Sequence, residues 1–276
     1  SANERYLLAG DPSSDEPYAL LEPISLEDGT QALAFSGQTE TVEFDLTFSQ
    51  DWTERPGFEP VTGNDIGIFP GEQWTVYPVW PRSVVTGTIE NRLSEETFDI
   101  DGHGYRENSF GRYGFVFDGW DFGVVSDADS GVQWVWQTYH SSDTLDYLDI
   151  SFYDDGELQT VRFEDDDLGW RHPRWTFDTV ANRCIPLKTV VEAENEDYRV
   201  VVPYDIGNNQ VPILSDATPL TNAFVIMEHF PMMEGAIYRN DGSLVTTFEG
   251  QGGGEISFLR SLTQPTSIFS CFLRNF

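Results

Sequence analysis

A glycine-punctuated polar segment, residues 101–111, holds the side chains of this chain best suited to acid–base chemistry. It is called the glycine box below. Glycine tolerates positive φ and lets backbone or ligand approach closely, so the box is predicted to be a bulged strand end that displays its polar residues. The alternative is an ordinary hairpin with polar decoration. The polar side chains on display would be His103, Tyr105, Glu107 and Asn108.

Glu107 is the group of the box that could transfer a proton. Burial in an apolar pocket raises the pKa of a carboxyl group, so Glu107 could stay protonated and deliver a proton to an alkene or a carbonyl. Hydration and cation-initiated cyclisation both begin in this way. A pericyclic reaction requires only a folded substrate and polarising hydrogen bonds from Tyr105 or Asn108. The structural alternative is that Glu107 and Asn108 satisfy backbone groups at a bulge.

The same order of strand, turn, strand, glycine box and glutamate recurs later in the chain. The recurrence predicts an internal duplication, with one β domain in residues 1–166 and a second of related topology in residues 167–276. Residues 164–169 are the predicted boundary. The acidic run 164–167 within them is expected to be a solvated face or linker, and a calcium loop is the alternative. The matched pairs are Gly87 and Gly235, Ile89 and Ile237, Gly102 and Gly250, Gly104 and Gly252, and Glu107 and Glu255.

Residue alternation predicts that the elements around the box are β-strands. In residues 41–48 the apolar side chains all point one way and the polar ones the other, as in a half-buried antiparallel strand. In residues 132–140, Trp134, Trp136 and His140 share one face, which is either core or the wall of a cavity. No segment has helical periodicity, so little helix is expected, mainly near residues 214–222. Residues 52–73 are predicted to be a long loop of the lid or binding type.

These residues resemble the two-domain lipocalin-like proteins, a family that includes acyclic carotenoid hydratases, AttH-like proteins and fungal lipocalin-type Diels-Alderases. In that family the box tends to be Gly-x-Gly-Tyr-x-Asp-His-Asn-Trp-Gly, followed by a Trp-x-Trp-Gly strand. Here Phe110 replaces the box tryptophan and Phe122 the second tryptophan of the strand. The resemblance implies an all-β fold of two lipocalin-like antiparallel β-barrel or sandwich domains. It is carried by residues 74–81, Val85 to Gly87, the box itself and Trp120-x-Phe122-Gly123.

The resemblance implies three alternative functions, none of which requires a cofactor. The first is a Diels-Alderase-like cyclase that folds an apolar polyene of polyketide or isoprenoid origin in a cavity. The second is an isoprenoid or carotenoid hydratase with a protonated glutamate, and the third is a non-catalytic carrier of hydrophobic ligands. The expected polar lining is His103, Tyr105, Glu107, Asn108 and His140, and the expected walls are Trp74, Trp80, Phe110, Trp120, Phe122, Trp134 and Trp136.

Standard catalytic motifs are missing from the sequence. It contains no GxSxG elbow, P-loop, HExxH or dinucleotide fingerprint. Its four histidines are too dispersed to predict a metal site. The expected partner is therefore a small hydrophobic substrate, bound by a monomer or a homodimer.

The charge balance is strongly acidic, with 47 Asp and Glu against 15 Lys and Arg and a net charge of -32. Such a charge repels phosphate backbones and argues against a nucleic-acid partner. No apolar run reaches the roughly 18 residues of a membrane helix. The acidic bias is explained either by the cytoplasm of a halophile or by secretion after removal of a signal peptide. Cys184 and Cys271 are expected to be either bridged or two buried thiols, and a bridge would favour secretion.

Overall fold

The computed structural model describes residues 7–50, 56–64, 71, 73–112, 119–139, 142–178, 183–207, 210–214 and 224–259 of the 276. These residues form eighteen β-strands and one 3-10 turn, Asp165–Asp167, and every strand pairing with a defined register is antiparallel. The predicted all-β class is therefore confirmed. The predicted helical pieces fall mostly in residues 215–223, outside the described residues. Among the described residues, no helix is long and apolar enough to cross a membrane.

The chain forms two compact units. The first contains the described residues of 1–55 and 79–107, and the second those of 56–78 and 108–276. This division differs from the predicted one, because position 166 lies inside the second unit. Strands on both sides of that position belong to the same 11-stranded sheet. The internal duplication remains a prediction.

The first unit is built on a sheet in the order β1-β2-β3-β4-β6, and β7 also pairs with β6. Phe35 packs against Phe44 and Phe48, with ring centroids 4.7 and 6.4 Å apart. The apolar face predicted for residues 41–48 therefore lies within an aromatic cluster. The strands are β1 Leu7–Ala9, β2 Tyr18–Ser25, β3 Gln31–Gln38, β4 Val42–Gln50, β6 Gln73–Asn91 and β7 Glu96–Arg112, and the last two continue into the second unit.

The second unit holds the 11-stranded sheet, in the order β11-β10-β9-β8-β18-β17-β14-β13-β12, with β16 paired to β18 and β15 to β16. A short strand, β5 Val61–Asn64, pairs with β6 inside the predicted long loop. The other strands are β8 Gly119–Ser126, β9 Gln133–Tyr139, β10 Ser142–Asp154, β11 Glu157–Glu164, β12 Leu168–Asp178, β13 Arg183–Glu194, β14 Tyr198–Asp205, β15 Gln210–Leu214, β16 Phe224–His229, β17 Met232–Arg239 and β18 Leu244–Leu259.

Strand β18 connects the parts of this sheet, because it pairs with β8, β16 and β17. One face of the sheet, called the core face, carries the apolar core of the unit. Trp134 and Trp136 of β9 lie on it with about 1% of their surface exposed or less. They pack with aliphatic side chains from the neighbouring strands, including Leu148 and Ile150. The opposite side of β8, β9, β10, β11, β16 and β18 is called the second face.

Candidate functional site

A pair of carboxyl groups lies on the second face, where β16 and β18 meet. Glu228 of β16 is directly opposite Glu255 of β18 in the antiparallel register. Cross-strand neighbours of this kind have Cβ atoms about 5 Å apart, so their carboxyl groups come within hydrogen-bonding reach. The neighbouring Glu255 carboxyl group helps to raise the pKa of Glu228. Because two carboxylates in one site repel each other, the pair is most stable when one of them carries a proton.

Trp120 of β8 belongs to the same group. Its backbone is opposite Ser257, two positions along β18 from Glu255. The indole therefore crosses the strand pair diagonally, and Nε1 donates a hydrogen bond to Oε2 of Glu255 over 2.9 Å. We call Glu228, Glu255 and Trp120 the carboxyl site.

The surroundings of the carboxyl site favour a protonated glutamate near neutral pH. Burial, and then the neighbouring Glu255 carboxylate, raise the pKa of Glu228 to about 7. Two carboxylates that share a site cannot both ionise easily, and desolvation also disfavours the charged form. A carboxyl group with a pKa close to the ambient pH is well suited to general acid–base catalysis.

Polar and aromatic residues extend from the carboxyl site across the second face. Phe122 is opposite Glu255, and the following strands carry Gln137 and Tyr147 in the same row. Gln137 and Tyr147 are buried, whereas Phe122 and Glu255 are half-buried. The carboxyl site therefore lies at the more open part of this row.

The core face of the same unit holds a separate polar network. His172 of β12 contacts Asp121 of β8 through Nε2 and Thr189 of β13 through Nδ1, at 2.9 and 3.0 Å. Tyr204 and His229 stack beside it with ring centroids 5.9 Å apart. All five side chains are buried, which suits a structural connection between sheet segments better than substrate contact.

The glycine box brings together three of its four predicted polar residues. His103, Tyr105 and Glu107 alternate along β7 and therefore share one face of that strand in the first unit. The Tyr105 hydroxyl donates to Oε2 of Glu107 over 2.8 Å, and His103 Nε2 lies 3.1 Å from an Arg82 guanidinium nitrogen. Asn108 is exposed and, by alternation, faces the other way.

The predicted cavity walls are dispersed over different environments. Trp134 and Trp136 are in the core of the second unit, whereas Phe110 is 59% exposed. Trp74 of β6 is half-buried and lies beside Gly111, and both are in the second unit. Trp120 and Phe122 are on the second face, next to Glu255. His140 and the side chain of Trp80 lie outside the described residues.

Sequence reasoning missed Glu228. Glu255 was visible as the counterpart of Glu107 in the repeated pattern, but Glu228 stands alone in an apolar strand. The signal that could have identified it is the alternation in residues 224–230, which puts Glu228 on the face opposite to Met227 and His229. Its contact with Glu255 depends on a strand pairing that local patterns do not specify.

The three residues of the carboxyl site include no cysteine and form no metal-binding cluster. Cys184 is disulfide-bonded, and Cys271, the other cysteine of the chain, lies outside the described residues. In the described part of the chain, no group of three or more His, Cys, Asp or Glu side chains has the geometry to hold a metal ion.

Comparison with known proteins shows similarity at the level of fold. No protein-family model and no curated protein matches the sequence. Kievitone hydratase from Nectria haematococca superposes with a TM-score of 0.53 at 11% identity, over 86% of this chain and 67% of that chain. An AttH protein from Nitrosomonas europaea has a TM-score of 0.52 at 14% identity, over the same shares.

CghA in complex with Sch210972 has a TM-score of 0.50 at 9% identity, over 90% of this chain and 69% of that chain. These similarities confirm the predicted lipocalin-like fold. At such low identities the reaction has to be argued from the carboxyl site itself.

Proposed function

We propose that the protein is a cofactor-independent enzyme that protonates an unsaturated apolar substrate, with Glu228 as the acid. The observation that carries this proposal is the direct cross-strand pairing of Glu228 with Glu255, where burial and the second carboxyl raise the pKa of Glu228 to about 7. An acid with this pKa is about half protonated at neutral pH and can transfer its proton to an alkene carbon.

Hydration is the reaction that such a pair performs most directly. The Glu228 O–H bond breaks, its proton forms a C–H bond with the π electrons of the alkene, and a carbocation remains. Water then forms a C–O bond with the cation and loses a proton to the Glu255 carboxylate. Transfer of that proton from Glu255 to its cross-strand neighbour Glu228 restores the starting state. The net change is addition of H and OH across the double bond.

Cation-initiated cyclisation is the second candidate, and the aromatic residues beside the pair favour it. Trp120 and Phe122 lie on the same face as the carboxyl groups. Aromatic faces stabilise nearby cations by about 0.5–2 kcal/mol, which can lengthen the life of a carbocation before it is captured. Capture by a second double bond of the substrate instead of water closes a ring, and loss of a proton to Glu255 then ends the reaction.

The proposal predicts that Glu228→Gln lowers turnover at least about a hundredfold, because glutamine keeps the size of the side chain and removes the transferable proton. Activity is measured on a panel of isoprenoid and polyketide polyenes by mass spectrometry of the products. Reactions in D₂O distinguish the chemistries, since protonation places one deuterium on carbon. A product heavier by one water identifies the hydratase, and an isomeric product identifies the cyclase.

The matched control is Glu249→Gln, the same substitution at an exposed glutamate of β18 away from the pair. Glu249→Gln should retain full turnover. A pericyclic reaction requires no acid, so an active Glu228→Gln enzyme with no deuterium in its product would overturn the proposal in favour of a Diels-Alderase-like mechanism. Ligand binding without turnover by the unmodified protein would favour the carrier.

Glu107 remains a proposed second location for the acid. The Tyr105 hydroxyl holds the Glu107 carboxyl in one orientation, although a donated hydrogen bond also favours the ionised form of that group. Glu107→Gln is therefore assayed in the same series as Glu228→Gln. A loss of turnover confined to Glu107→Gln would move the catalytic acid to the glycine box.

A further inference from the structure

We propose that Trp120 is a positioning residue that keeps the proton of the carboxyl site on Glu228, by holding Glu255 as the carboxylate. This inference rests on the proposed function, since it assigns different roles to two carboxyl groups that the reaction uses. It also concerns a property of the free protein, and the property can be measured without any substrate.

The geometry of the site makes the two carboxyl groups unequal. Trp120 Nε1 donates to Oε2 of Glu255 over 2.9 Å. An indole N–H is only a donor, so it stabilises an ionised carboxylate more strongly than a neutral acid. Glu228 is on the far side of Glu255, one strand further from β8. The tryptophan therefore favours one distribution of the proton, with Glu255 ionised and Glu228 protonated.

Other charged groups on the described part of the second face are more distant. In the same row, Phe122, Gln137 and Tyr147 separate Glu255 from Glu164 on β11. Arg162 and Asp149 form an ion pair in the next row, and Glu164 and Glu59 lie beside that pair. On the other side of Glu228, the paired residue of β15 is Val211. Among these groups, Trp120 is the polar contact that distinguishes Glu255 from Glu228.

This asymmetry has a consequence for turnover. After the substrate takes the proton of Glu228 and Glu255 accepts one, the pair is in the reverse protonation state. The indole N–H then faces a neutral carboxyl group, a weaker hydrogen bond than the one it makes with a carboxylate. Return of the proton to Glu228 restores the stronger bond. Trp120 would thus drive the enzyme back to its active protonation state after each cycle.

The test is a direct pH titration of the two carboxyl groups. Infrared or NMR spectroscopy of protein with ¹³C-labelled glutamate side chains monitors the ionisation of each group. Glu228→Gln and Glu255→Gln assign the signals. In Trp120→Phe, the titration of Glu255 should move upward by about one pH unit, because the carboxylate loses a charge-assisted hydrogen bond. The proton should then be divided between both groups.

The controls separate hydrogen bonding from packing. Phe122→Leu changes a neighbouring aromatic residue on the same face and should leave the Glu255 titration unchanged. Replacement of Trp120 by its benzothienyl analogue keeps both rings and removes the N–H. This protein should show the same upward shift of the Glu255 titration, and it serves as the test if Trp120→Phe does not fold.

An unshifted Glu255 titration in the benzothienyl protein would overturn the role of Trp120, whatever the activity. If the Glu255 titration shifts in the benzothienyl protein but Glu228→Gln does not change turnover, the positioning role of Trp120 is upheld and the proposed function is refuted. In Trp120 variants that are active, the acidic limb of the pH profile of kcat/KM should move to higher pH together with the Glu255 titration.

Discussion

His229 is a buried ionisable residue that should make the stability of the protein depend on pH. The side chain is fully buried and stacks on Tyr204. Burial is the main cause that lowers its pKa from 6.5 to about 4; Asp121 opposes the shift, and the nearby His172 adds to it. The unfolded chain therefore binds a proton below about pH 6.5 that the folded protein cannot accept until about pH 4. The folded state loses stability as the pH falls through this window, and the loss stops below it.

The free energy of unfolding should fall by about 3 kcal/mol between pH 7.5 and pH 4, because the pKa of His229 differs by about 2.5 units between the unfolded and folded states. In His229→Phe this contribution is absent, although the aromatic stack on Tyr204 is kept. Urea unfolding of both proteins at the two pH values measures this contribution to the free energy of unfolding. Subtracting the pH dependence of the variant from that of the unmodified protein removes the effect of carboxylates that titrate in both. Parallel pH dependences would show that His229 is not the responsible group.

At the scale of elements, the segment 56–64 is attached to the second face by Arg162. The guanidinium makes a bidentate ion pair with Asp149, with both contacts at 2.7 Å, and also donates to the Glu59 carbonyl oxygen over 2.5 Å. The Gly57 N–H donates to Thr160 over 3.2 Å. The predicted lid-type loop therefore contains a strand and has fixed contacts along its described part.

Arg162→Met should destabilise the protein by about 3 kcal/mol, because it leaves Asp149 buried without its cation. Asp149 is 1% exposed, and burial raises its pKa although Arg162 opposes the shift. Urea unfolding measures the change, and hydrogen exchange should show faster exchange in residues 56–64. The double variant Arg162→Met/Asp149→Asn should recover part of the loss.

Arg171→Met is the matched control for this prediction. Its ion pair with Glu192 has a similar distance of 2.8 Å, but the two side chains are 60% and 41% exposed. Exposed pairs contribute at most about 1 kcal/mol. Equal effects of the two arginine substitutions would mean that the contact to segment 56–64 has no special role.

Sequence patterns predicted single strands well and the connections between them poorly. Alternation is a local property, so the faces of β4 and β9 follow directly from it. The division into units does not follow from alternation, because the pairing of β8 with β18 joins segments far apart in the sequence, and the predicted boundary at residue 166 therefore differs from the observed division. The carboxyl site depends on the same distant pairings. Glu255 could be singled out by the repeated pattern, while its contacts with Glu228 and Trp120 exist only after the sheet has formed.

At the scale of the whole molecule, the acidic surface should make stability depend on salt. The chain carries a net charge of -32, and its only lysine is Lys188. Carboxylates at this density repel one another at low ionic strength, and the Debye length shortens from about 30 Å at 0.01 M to about 3 Å at 1 M salt. The melting temperature should therefore rise between dilute and molar NaCl, as measured by calorimetry.

Sucrose at matched osmolality is the control for that measurement, because it carries no charge and does not screen the carboxylates. A melting temperature that stays constant or falls with NaCl would contradict the interpretation of the acidic bias as an adaptation to high salt. Secretion would then be the favoured explanation of the acidic bias.

The threefold pairing of β18 has a consequence for how the chain folds during synthesis. Trp120 and Glu255 touch across 135 positions of sequence. Until the ribosome has made β18, the edges of β8, β16 and β17 have no neighbour there, and open strand edges invite association with other chains. Contacts of such long range also make folding slow. Nascent chains should therefore depend on chaperones until β18 emerges, and refolding from denaturant should compete with aggregation at high protein concentration.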